Sequence, residues 1–509
     1  MRTLYGLILL ILVSNSSSQM TQHAVCNPEY FKGHYACKVM MSGIFDEATD
    51  LQITMPHLEG KNDYDVTLMR INLSFNAIIY VFHKEFLQKF PNLTVIELQN
   101  VGITSLANLS FVNCKELEKL NVTFNYLKTI PDRLFMNCTK LKELDLSYNN
   151  LAKITDDTFE GLESLEVLKL NRNYILVLSS NPFRSLENLK ELDLSELWIP
   201  TNWYQNSFNL TVFQYLKDLE VINLRHWNIN FVTIEALLNG LSNLTHVDIS
   251  YNSLTDINIE FFSQFENLTT LGLNNCKIND IPRYAFKTLT NLQTLSLTFN
   301  SLSSIAEKTF AGLNCLEFLY LDFNNIASVH ESSFGDLKNL KELNLGFNLI
   351  KVLPSEIFKN LQNLVILNLE WNDIKEFPKN TFSSLEKLEV LNFDHNSITQ
   401  LNSNYFGSHK NMTEISAEFN KINSIERNFL DNFPNLLRLN LQFNSCASLN
   451  LANFQFITVG LTLKKCFSNW DDVQSTTVEP MTTPKGGGHV LKISMALILL
   501  LEVVIIGVK

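Results

Sequence analysis

The sequence predicts an α/β solenoid, a curved stack of about 16 similar coils, although a chain of 509 residues would ordinarily fold as several globular domains. Three observations predict it. A unit of 24 residues recurs through most of the chain, its leucines alternate with variable residues, and an asparagine recurs at one fixed position. Because each coil of a repeat array packs chiefly against its neighbours, one continuous fold can extend along the whole repeated region.

The repeated unit opens with the pattern L-x-x-L-x-L-x-x-N-x-L, whose residues we number as positions 1 to 11. The pattern is clear in residues 141–151 and again in residues 316–326. We count units from the N-terminus, and the sixteen of them open at Leu68, Leu93, Leu117, Leu141, Leu165, Leu189, Leu219, Leu244, Leu268, Leu292, Leu316, Leu340, Leu364, Leu388, Met412 and Leu436.

Each part of the unit has a structural interpretation. Leucines that alternate with variable residues have the period of a short β-strand, and stacked coils then form one parallel sheet over a continuous core. The asparagine at position 9 lies in a buried turn, so it has to bond to the backbone of its own and the adjoining coil. A phenylalanine in the second half of the unit fills the wider convex side. The sequence therefore predicts a curved leucine-rich-repeat horseshoe with the parallel sheet on its concave face.

The two ends of the chain depart from the repeat. A basic residue, an apolar run at residues 4–13 and small residues after it are typical of a secretory signal peptide, with a buried first strand or helix as the alternative. The region after the repeats is rich in Ser, Thr, Pro and Gly, as in an extended stalk. We divide the chain into a signal peptide, 1–18; an N-terminal cap, 19–67; leucine-rich repeats, 68–445; a C-terminal cap, 446–470; a stalk, 471–492; and a hydrophobic anchor segment, 493–509.

The hydrophobic end of the chain has three interpretations. Small residues, a spacer and an apolar tail resemble the signal for a glycosylphosphatidylinositol anchor, which would attach the lipid at Gly486. The spacer is shorter than the usual ~8–12 residues, however, and Glu502 interrupts the tail. A short transmembrane helix is the second interpretation, although residues 493–508 would reach only about 24 Å across a ~30 Å hydrocarbon core. Secretion without an anchor is the third.

Glycosylation motifs and cysteines agree with export. Nine Asn-x-Ser/Thr motifs lie beyond the predicted signal peptide, at Asn72, Asn92, Asn108, Asn121, Asn137, Asn209, Asn243, Asn267 and Asn411. Three disulfides are predicted, one in each cap and one between successive coils, namely Cys26–Cys37, Cys446–Cys466 and Cys114–Cys138. Cys276 occupies position 9 and Cys315 has no partner in phase, so both are predicted to be buried thiols.

Composition and motifs exclude several classes of function. A net charge of −12 disfavours nucleic acid, whose phosphates attract basic surfaces. The sequence contains no nucleophile elbow, zinc-protease helix, phosphate-binding loop or Cys/His metal spacing. We therefore expect no catalytic residue, no metal and no cofactor, and a protein that works by binding.

Candidate binding residues lie at variable positions of units 11 to 14. Aromatic and aliphatic anchors ringed by polar groups are typical of an interface hot spot, and here they are Phe318, Tyr320, Asp322, Ile366, Glu370, Trp371, Asp394 and His395. An aromatic residue also recurs at position 8, which favours a stacked ladder over a binding stripe; these residues are Phe75, Phe124, Tyr148, Tyr251, Phe299, Phe323, Phe347, Trp371, Phe419 and Phe443. In the other units, the positions of Phe318, Tyr320 and Ile366 are occupied by polar or small residues.

Two other parts of the concave face have competing interpretations. Sugars at Asn72 and Asn121 would shield units 1 to 3, and mixed charges in units 4 to 6, such as Lys142 and Glu143, favour a solvated surface whose charges satisfy one another. Unit 6 is 30 residues long and lacks the asparagine, as does the next unit, where Trp227 replaces it. This insertion is either a binding loop or an aromatic plug or dimer contact, through Trp198, Trp203 and Tyr204.

The repeat pattern resembles the typical 24-residue class of animal extracellular leucine-rich-repeat proteins. That class includes Toll-like receptor ectodomains, chaoptin-type lipid-anchored adhesion proteins and the leucine-rich immune proteins of insects. The resemblance implies binding of an extracellular protein or glycan, as in innate immune recognition or a co-receptor. The alternative is homophilic or heterophilic cell adhesion, or a matrix role. Either function places the repeats at the extracellular face of the plasma membrane or in secreted form.

Overall fold

A computed structural model describes most of the chain. The described residues are 21–31, 34–41, 44–45, 50–54, 61–73, 78–79, 81–82, 84–197, 209–255, 257–452 and 463–476. The predicted signal peptide, the candidate lipid-attachment residue Gly486 and the hydrophobic end segment lie outside these residues, so they stay predictions.

A parallel sheet to which each coil contributes one short strand runs through the molecule. Neighbouring strands pair in register, as Leu319 does with Leu343 in the next coil. The prediction of a leucine-rich-repeat solenoid is confirmed. The sixteen repeat strands are β5 Leu68–Leu73, β8 Val95–Glu97, β10 Lys119–Asn121, β11 Glu143–Asp145, β13 Val167–Lys169, β15 Glu191–Asp193, β16 Val221–Asn223, β17 His246–Asp248, β18 Thr270–Gly272, β19 Thr294–Ser296, β21 Phe318–Tyr320, β23 Glu342–Asn344, β24 Ile366–Asn368, β25 Val390–Asn392, β27 Glu414–Ser416 and β29 Arg438–Asn440.

The remainder of each coil is mostly turns with small elements. Two-residue strands pair between neighbouring coils; they are β3 Ile44–Phe45, β6 Ile78–Ile79, β7 Val81–Phe82, β9 Ser105–Leu106, β12 Lys153–Ile154, β14 Val177–Leu178, β20 Ser304–Ile305, β22 Ser328–Val329, β26 Gln400–Leu401 and β28 Ser424–Ile425. The α-helices are α1 Glu85–Lys89, α2 Phe231–Leu238 and α3 Lys464–Thr476. Short 3-10 helices span Asp63–Asp65, Ile259–Gln264, Ser403–Tyr405 and Phe429–Asn432.

Both ends of the sheet are covered by cap elements. At the N-terminus, β1 Thr21–Phe31 and β2 His34–Met41 form an antiparallel hairpin, β4 Asp50–Thr54 pairs with β1, and β2 pairs with the first repeat strand. At the C-terminus, β30 Asn450–Ala452 pairs antiparallel with β29. Helix α3 then continues to Thr476, six residues into the segment that the sequence assigns to the stalk.

The first repeat opens two residues earlier than its sequence indicates. Strand register pairs Leu68 with Val95 and Met69 with Ile96, so Val66 and not Leu68 occupies position 1. The backbone carbonyl of Thr67 accepts from the amides of the next coil just as that of Thr94 does one coil later. A shift of two residues preserves the alternation of buried and exposed side chains, which is why the hydrophobic pattern could not distinguish the two frames.

The disulfide predictions are largely confirmed. Cys114–Cys138 joins successive coils with a Cα separation of 4.9 Å, and Cys446–Cys466 closes the C-terminal cap with a Cα separation of 5.1 Å. Cys37 is disulfide-bonded, and the side chain of Cys26, its expected partner, lies outside the described residues.

The prediction that both remaining cysteines are buried is correct for one of them. Cys276 is buried, and burial raises the pKa of its thiol to about 12. Cys315 is exposed, so that part of the prediction is wrong. It directly precedes position 1, on an outer turn where other coils have exposed asparagines such as Asn291 and Asn339.

The asparagines at position 9 form the expected ladder. Asn149 donates through Nδ2 to the carbonyl of Val122 in the preceding coil, at 2.9 Å, and to its own coil. Its Oδ1 accepts from the amide of Leu127 at 3.0 Å. These bonds satisfy backbone groups on both sides of a buried turn, which is what holds adjacent coils in register.

Two residues replace the asparagine without breaking the ladder. Trp227 is buried, and its indole Nε1 donates to the carbonyl of Leu194 in the preceding coil. The thiol of Cys276 makes the equivalent contact with the carbonyl of Ile249, at 3.4 Å. Trp227 is therefore a core residue that keeps the donor.

His409 is a buried polar residue in a place where other coils have leucine, such as Leu361 and Leu385. It is only 1 % exposed, and its ring lies between Phe406 and Phe433 with centroids 6.0 and 6.2 Å away. Neither ring nitrogen has a hydrogen-bond partner among the described residues. Burial lowers the pKa of His409, so the folded protein holds it neutral.

The substitution His409→Leu is expected to raise the free energy of unfolding by ~1–3 kcal/mol, because it removes unsatisfied buried polar atoms. The unfolded chain binds a proton at His409 below a pKa of about 6.5, whereas the folded chain does not until lower pH. Stability in the parent is therefore lost as pH falls below about 6.5, and the gain from His409→Leu should be larger at acidic pH. Denaturant unfolding at two pH values measures this, with the exposed His330→Leu as control; a gain independent of pH would contradict it.

Candidate binding surface

Phe318 and Tyr320 lie on either side of the buried Leu319 in strand β21, so both point away from the core. Ile366 has the same orientation two coils further along, in β24. All three are half-buried on the concave sheet. Position 5, which Tyr320 occupies, is polar or glycine in every other unit from 2 to 16. The fold itself does not require an aromatic residue there.

A row of carboxylates at position 7 lies beside these side chains. The candidate binding residues Asp322, Glu370 and Asp394 belong to it, and Glu418 extends it by one coil. Between Asp322 and Glu370 the row has Gly346, where an added Cβ would lie 3.2 Å from Glu370 Cγ. The sequence analysis missed Glu418, although an acidic residue at one position in successive units was the available signal.

The carboxylates are hydrogen-bonded and partly desolvated. Asp394 accepts from the Ser416 hydroxyl at 2.7 Å and from the backbone amide of Glu418. Burial nevertheless raises the pKa of Asp394 to about 6, helped by the negative charges of Glu418 and Glu370. Burial also raises the pKa of Asp322, which accepts from Thr298 at 3.0 Å. At neutral pH this surface holds several ionised groups close together.

No described cation forms an ion pair with Asp322, Glu370, Asp394 or Glu418. Carboxylates at other positions do pair with cations of successive coils, in the C-terminal half through Lys341–Glu317 at 2.6 Å and Arg438–Glu414 at 3.1 Å, and in the N-terminal half through lysine–glutamate pairs. The pairs are Lys119–Glu143 at 2.6 Å, Lys142–Glu118 at 3.0 Å, Lys169–Glu191 at 3.0 Å and Lys190–Glu166 at 2.9 Å. The interpretation of that half as a mutually satisfied surface is supported, whereas the position-7 row is not neutralised within the described part of the chain.

The aromatic residues at position 8 form a continuous stack along one edge of the concave sheet. Ring centroids of neighbouring coils are 4.2 Å apart for Phe299 and Phe323 and 4.1 Å apart for Phe323 and Phe347. Position 8 has a left-handed backbone in all of these units, with φ of 51° at Trp371. The stack continues through Phe347, Trp371, His395, Phe419 and Phe443.

Trp371 and His395 are therefore members of this stack, with centroids 3.9 Å apart, and their ring faces are covered by neighbouring rings. Burial lowers the pKa of His395. What the stack presents to solvent is ring edges, which carry the positive part of the aromatic quadrupole. The ladder interpretation is confirmed, and the sequence pattern omitted His395 from it because histidine was not counted as a stacking ring.

The glycosylation motifs lie where sugars could be attached. The side chains of six of them are exposed, namely Asn92, Asn108, Asn137, Asn243, Asn267 and Asn411. Asn121 and Asn209 are half-buried, and the side chain of Asn72, in β5, is outside the described residues. Trp198, Trp203 and Tyr204 of the unit 6 insertion also lie outside them, so their binding role stays a prediction.

The described residues contain no group of three or more His, Cys, Asp or Glu arranged to hold a metal ion. Within the same residues, no helix combines the length and the apolar character needed to cross a bilayer. The candidate surface is thus a sheet face with an aromatic edge and a carboxylate row.

Known proteins similar to this chain share its repeat architecture. A family model described as leucine rich repeat matches residues 91–151, 115–175, 139–196, 217–278, 266–326 and 319–374, which together span more than half of the chain. No curated protein matches by sequence.

Two solved structures show the same fold at low sequence identity. A leucine-rich-repeat protein of Leptospira interrogans is 22% identical with a TM-score of 0.56, and the match covers 76% of this chain and 98% of that one. A chain of the Drosophila Toll–Spatzle complex is 18% identical with a TM-score of 0.58, covering 81% of this chain and 64% of that one. From the repeat pattern, the stacked coils and the family match, the chain belongs to the leucine-rich-repeat family.

Proposed function

We propose that this protein is an extracellular, membrane-tethered recognition protein that binds a protein partner through the concave surface of units 11 to 15. We call this surface the docking face and define it by the apolar residues Phe318, Tyr320 and Ile366 and the carboxylates Asp322, Glu370, Asp394 and Glu418. A role in innate immune recognition or as a co-receptor fits such a surface, and the structurally similar Toll chain was solved in complex with Spatzle.

The observation that carries the proposal is the presence of Phe318 and Tyr320 at variable positions on the concave side of one strand. Large aromatic side chains that the core does not use, surrounded by polar groups, are the usual anchors of protein interfaces. Trp371 lies next to this group at the edge of the sheet and is 47% exposed.

Three features support an extracellular location. The N-terminal sequence is typical of a signal peptide, and most glycosylation motifs have exposed asparagines. The Cys114–Cys138 and Cys446–Cys466 disulfides are typical of proteins that fold in an oxidising compartment. The apolar end of the chain would supply the tether, through lipid at Gly486 or through a short helix.

The double substitution Phe318→Ala and Tyr320→Ala is expected to weaken partner binding by about 30-fold or more, because even one interface anchor contributes ~2 kcal/mol or more. Residues 19–476, ending where helix α3 ends, serve as bait for affinity capture on cells and microbes. The matched control replaces Tyr126 and Tyr284, which are 59% and 51% exposed outside the docking face. Undiminished binding by the docking-face variant would refute this location.

The same capture experiment distinguishes recognition from adhesion. Binding to microbes or to a different protein supports recognition, whereas aggregation of cells that express the chain indicates homophilic adhesion. Release of the protein from cells by a phosphatidylinositol-specific lipase tests the lipid anchor independently of the partner.

A further inference from the structure

The carboxylate row of the docking face continues without interruption over three successive coils. Glu370, Asp394 and Glu418 all lie at position 7, and adjacent strands of a sheet are about 4.8 Å apart. Their hydrogen bonds come from neutral groups, such as the Asn368 amide on Glu370 at 2.9 Å and the Asn440 amide on Glu418 at 2.7 Å. The row is thus held in place by the fold while its charge is left without a cation among the described residues.

Elsewhere in the chain, arginines at positions 7 and 8 lie along the same edge of the sheet. Arg225 occupies position 7 in unit 7, and its guanidinium lies 4.2 Å from the ring centroid of Tyr251 at position 8 of the next coil. Arg172 lies over the Tyr148 ring at 5.0 Å and pairs with Glu196 at 2.6 Å. The N-terminal half therefore shows that a guanidinium fits at this edge, between an aromatic ring and a carboxylate.

Units 13 to 15 have carboxylates along this edge and no described cation paired with them. Their ring faces are covered by neighbouring rings, so a cation there would contact the carboxylates and not the faces of the rings. We propose that the protein's partner supplies it: the docking face binds an extended basic segment of a protein, whose arginine or lysine side chains contact Glu370, Asp394 and Glu418 along the aromatic edge. This inference rests on the proposed function and narrows it, since a row of ionised carboxylates repels sulfated or sialylated glycans. Phe318, Tyr320 and Ile366 would contact the aliphatic parts of the same segment.

Burial makes this surface more selective for cations than an ordinary exposed acidic patch. Charges on a half-buried carboxylate are less screened by water and salt, so a cation that reaches them gains more than it would at an exposed site. Because burial raises the pKa of Asp394, its ionised form is less stable in the unbound protein than it would be in water. A bound cation would stabilise the ionised form. The ionised groups nearest to Asp394 are Glu370 and Glu418, one on each adjacent coil.

The test measures binding of a fluorescent ten-residue peptide of alternating arginine and serine to the purified full-length chain. The triple variant Glu370→Gln, Asp394→Asn and Glu418→Gln should weaken binding about tenfold or more. The control variant Glu118→Gln, Glu143→Gln and Glu166→Gln changes the net charge equally but removes carboxylates that are already paired with lysines. It should change binding by no more than about twofold.

Equal losses in the two variants, or no binding of the arginine peptide by the parent, would overturn the inference. The pH dependence gives a second readout, because binding of a cation favours ionised Asp394. Affinity should fall as pH is lowered through about 6, and Asp394→Asn should reduce this dependence. If these tests fail while Phe318→Ala and Tyr320→Ala still abolish capture of a partner, the docking face stands and only the basic nature of its partner is wrong.

Discussion

Replacing Asn324 by leucine is expected to lower the free energy of unfolding by about 3–5 kcal/mol, although leucine is the commonest residue of the repeat core. Asn324 is 3% exposed and donates to the carbonyls of Leu297 and Leu321, each at 3.0 Å. Its Oδ1 accepts from the amide of Leu302 at 3.1 Å. The substitution leaves the Leu302 amide buried without a partner, which costs ~1–3 kcal/mol. It also removes one of the two bonds accepted by each of the Leu297 and Leu321 carbonyls, which keep their bonds from Asn300 and Asn348, and each lost bond adds ~0.5–1.5 kcal/mol.

Denaturant unfolding followed by circular dichroism measures this loss. The neighbouring Asn325→Leu is the matched control, since only the backbone amide of Asn325 bonds to the preceding coil, at 2.9 Å to the Leu302 carbonyl. It should change stability by less than about 0.5 kcal/mol. Similar losses for the two substitutions would mean that the ladder does not hold the coils together.

The asparagine ladder shows which features of the fold could be predicted from the sequence. The repeat, its register and the role of position 9 were predictable because one pattern recurs in nearly every coil, and each recurrence supports the others. The role of Trp227 could not be predicted, because the repeat pattern has asparagine at this position. The physical requirement is a donor that reaches the carbonyl of the preceding coil, which the indole of Trp227 provides.

Features that depend on a single coil were harder to predict. Val66 and Leu68 both suit the alternation of the first strand, and only its pairing with the strand of the next coil shows which frame is adopted. The buried imidazole of His409 appears in the sequence as one substitution in a leucine position. The apolar residues of the docking face were predicted from the sequence, whereas the carboxylates that have no described cation partner could be told from the paired ones only in the structure.

Truncating Phe310 to alanine is expected to destabilise the fold by about 3–5 kcal/mol, because it opens a cavity on the convex side. Phe310 is fully buried and stacks between Phe286 and Phe334, with centroids 6.1 and 5.9 Å away. These rings form the convex filling that the phenylalanine of the repeat predicts. Thermal or denaturant unfolding of Phe310→Ala measures the loss.

The edge stack offers a control with closer rings and less burial. Phe323 lies 4.2 and 4.1 Å from its two neighbouring rings but is only half-buried, and alanine keeps the Cβ that makes its φ of 52° unfavourable, so the substitution leaves the backbone strain unchanged. Phe323→Ala should therefore cost only about 1–2 kcal/mol, the contribution of its ring contacts. A loss as large as that of Phe310→Ala would show that the edge stack is part of the core. A small loss would mean that the seven stacked rings beside the docking face contribute little to the stability of the fold. Such a result is expected if the stack serves binding at that face.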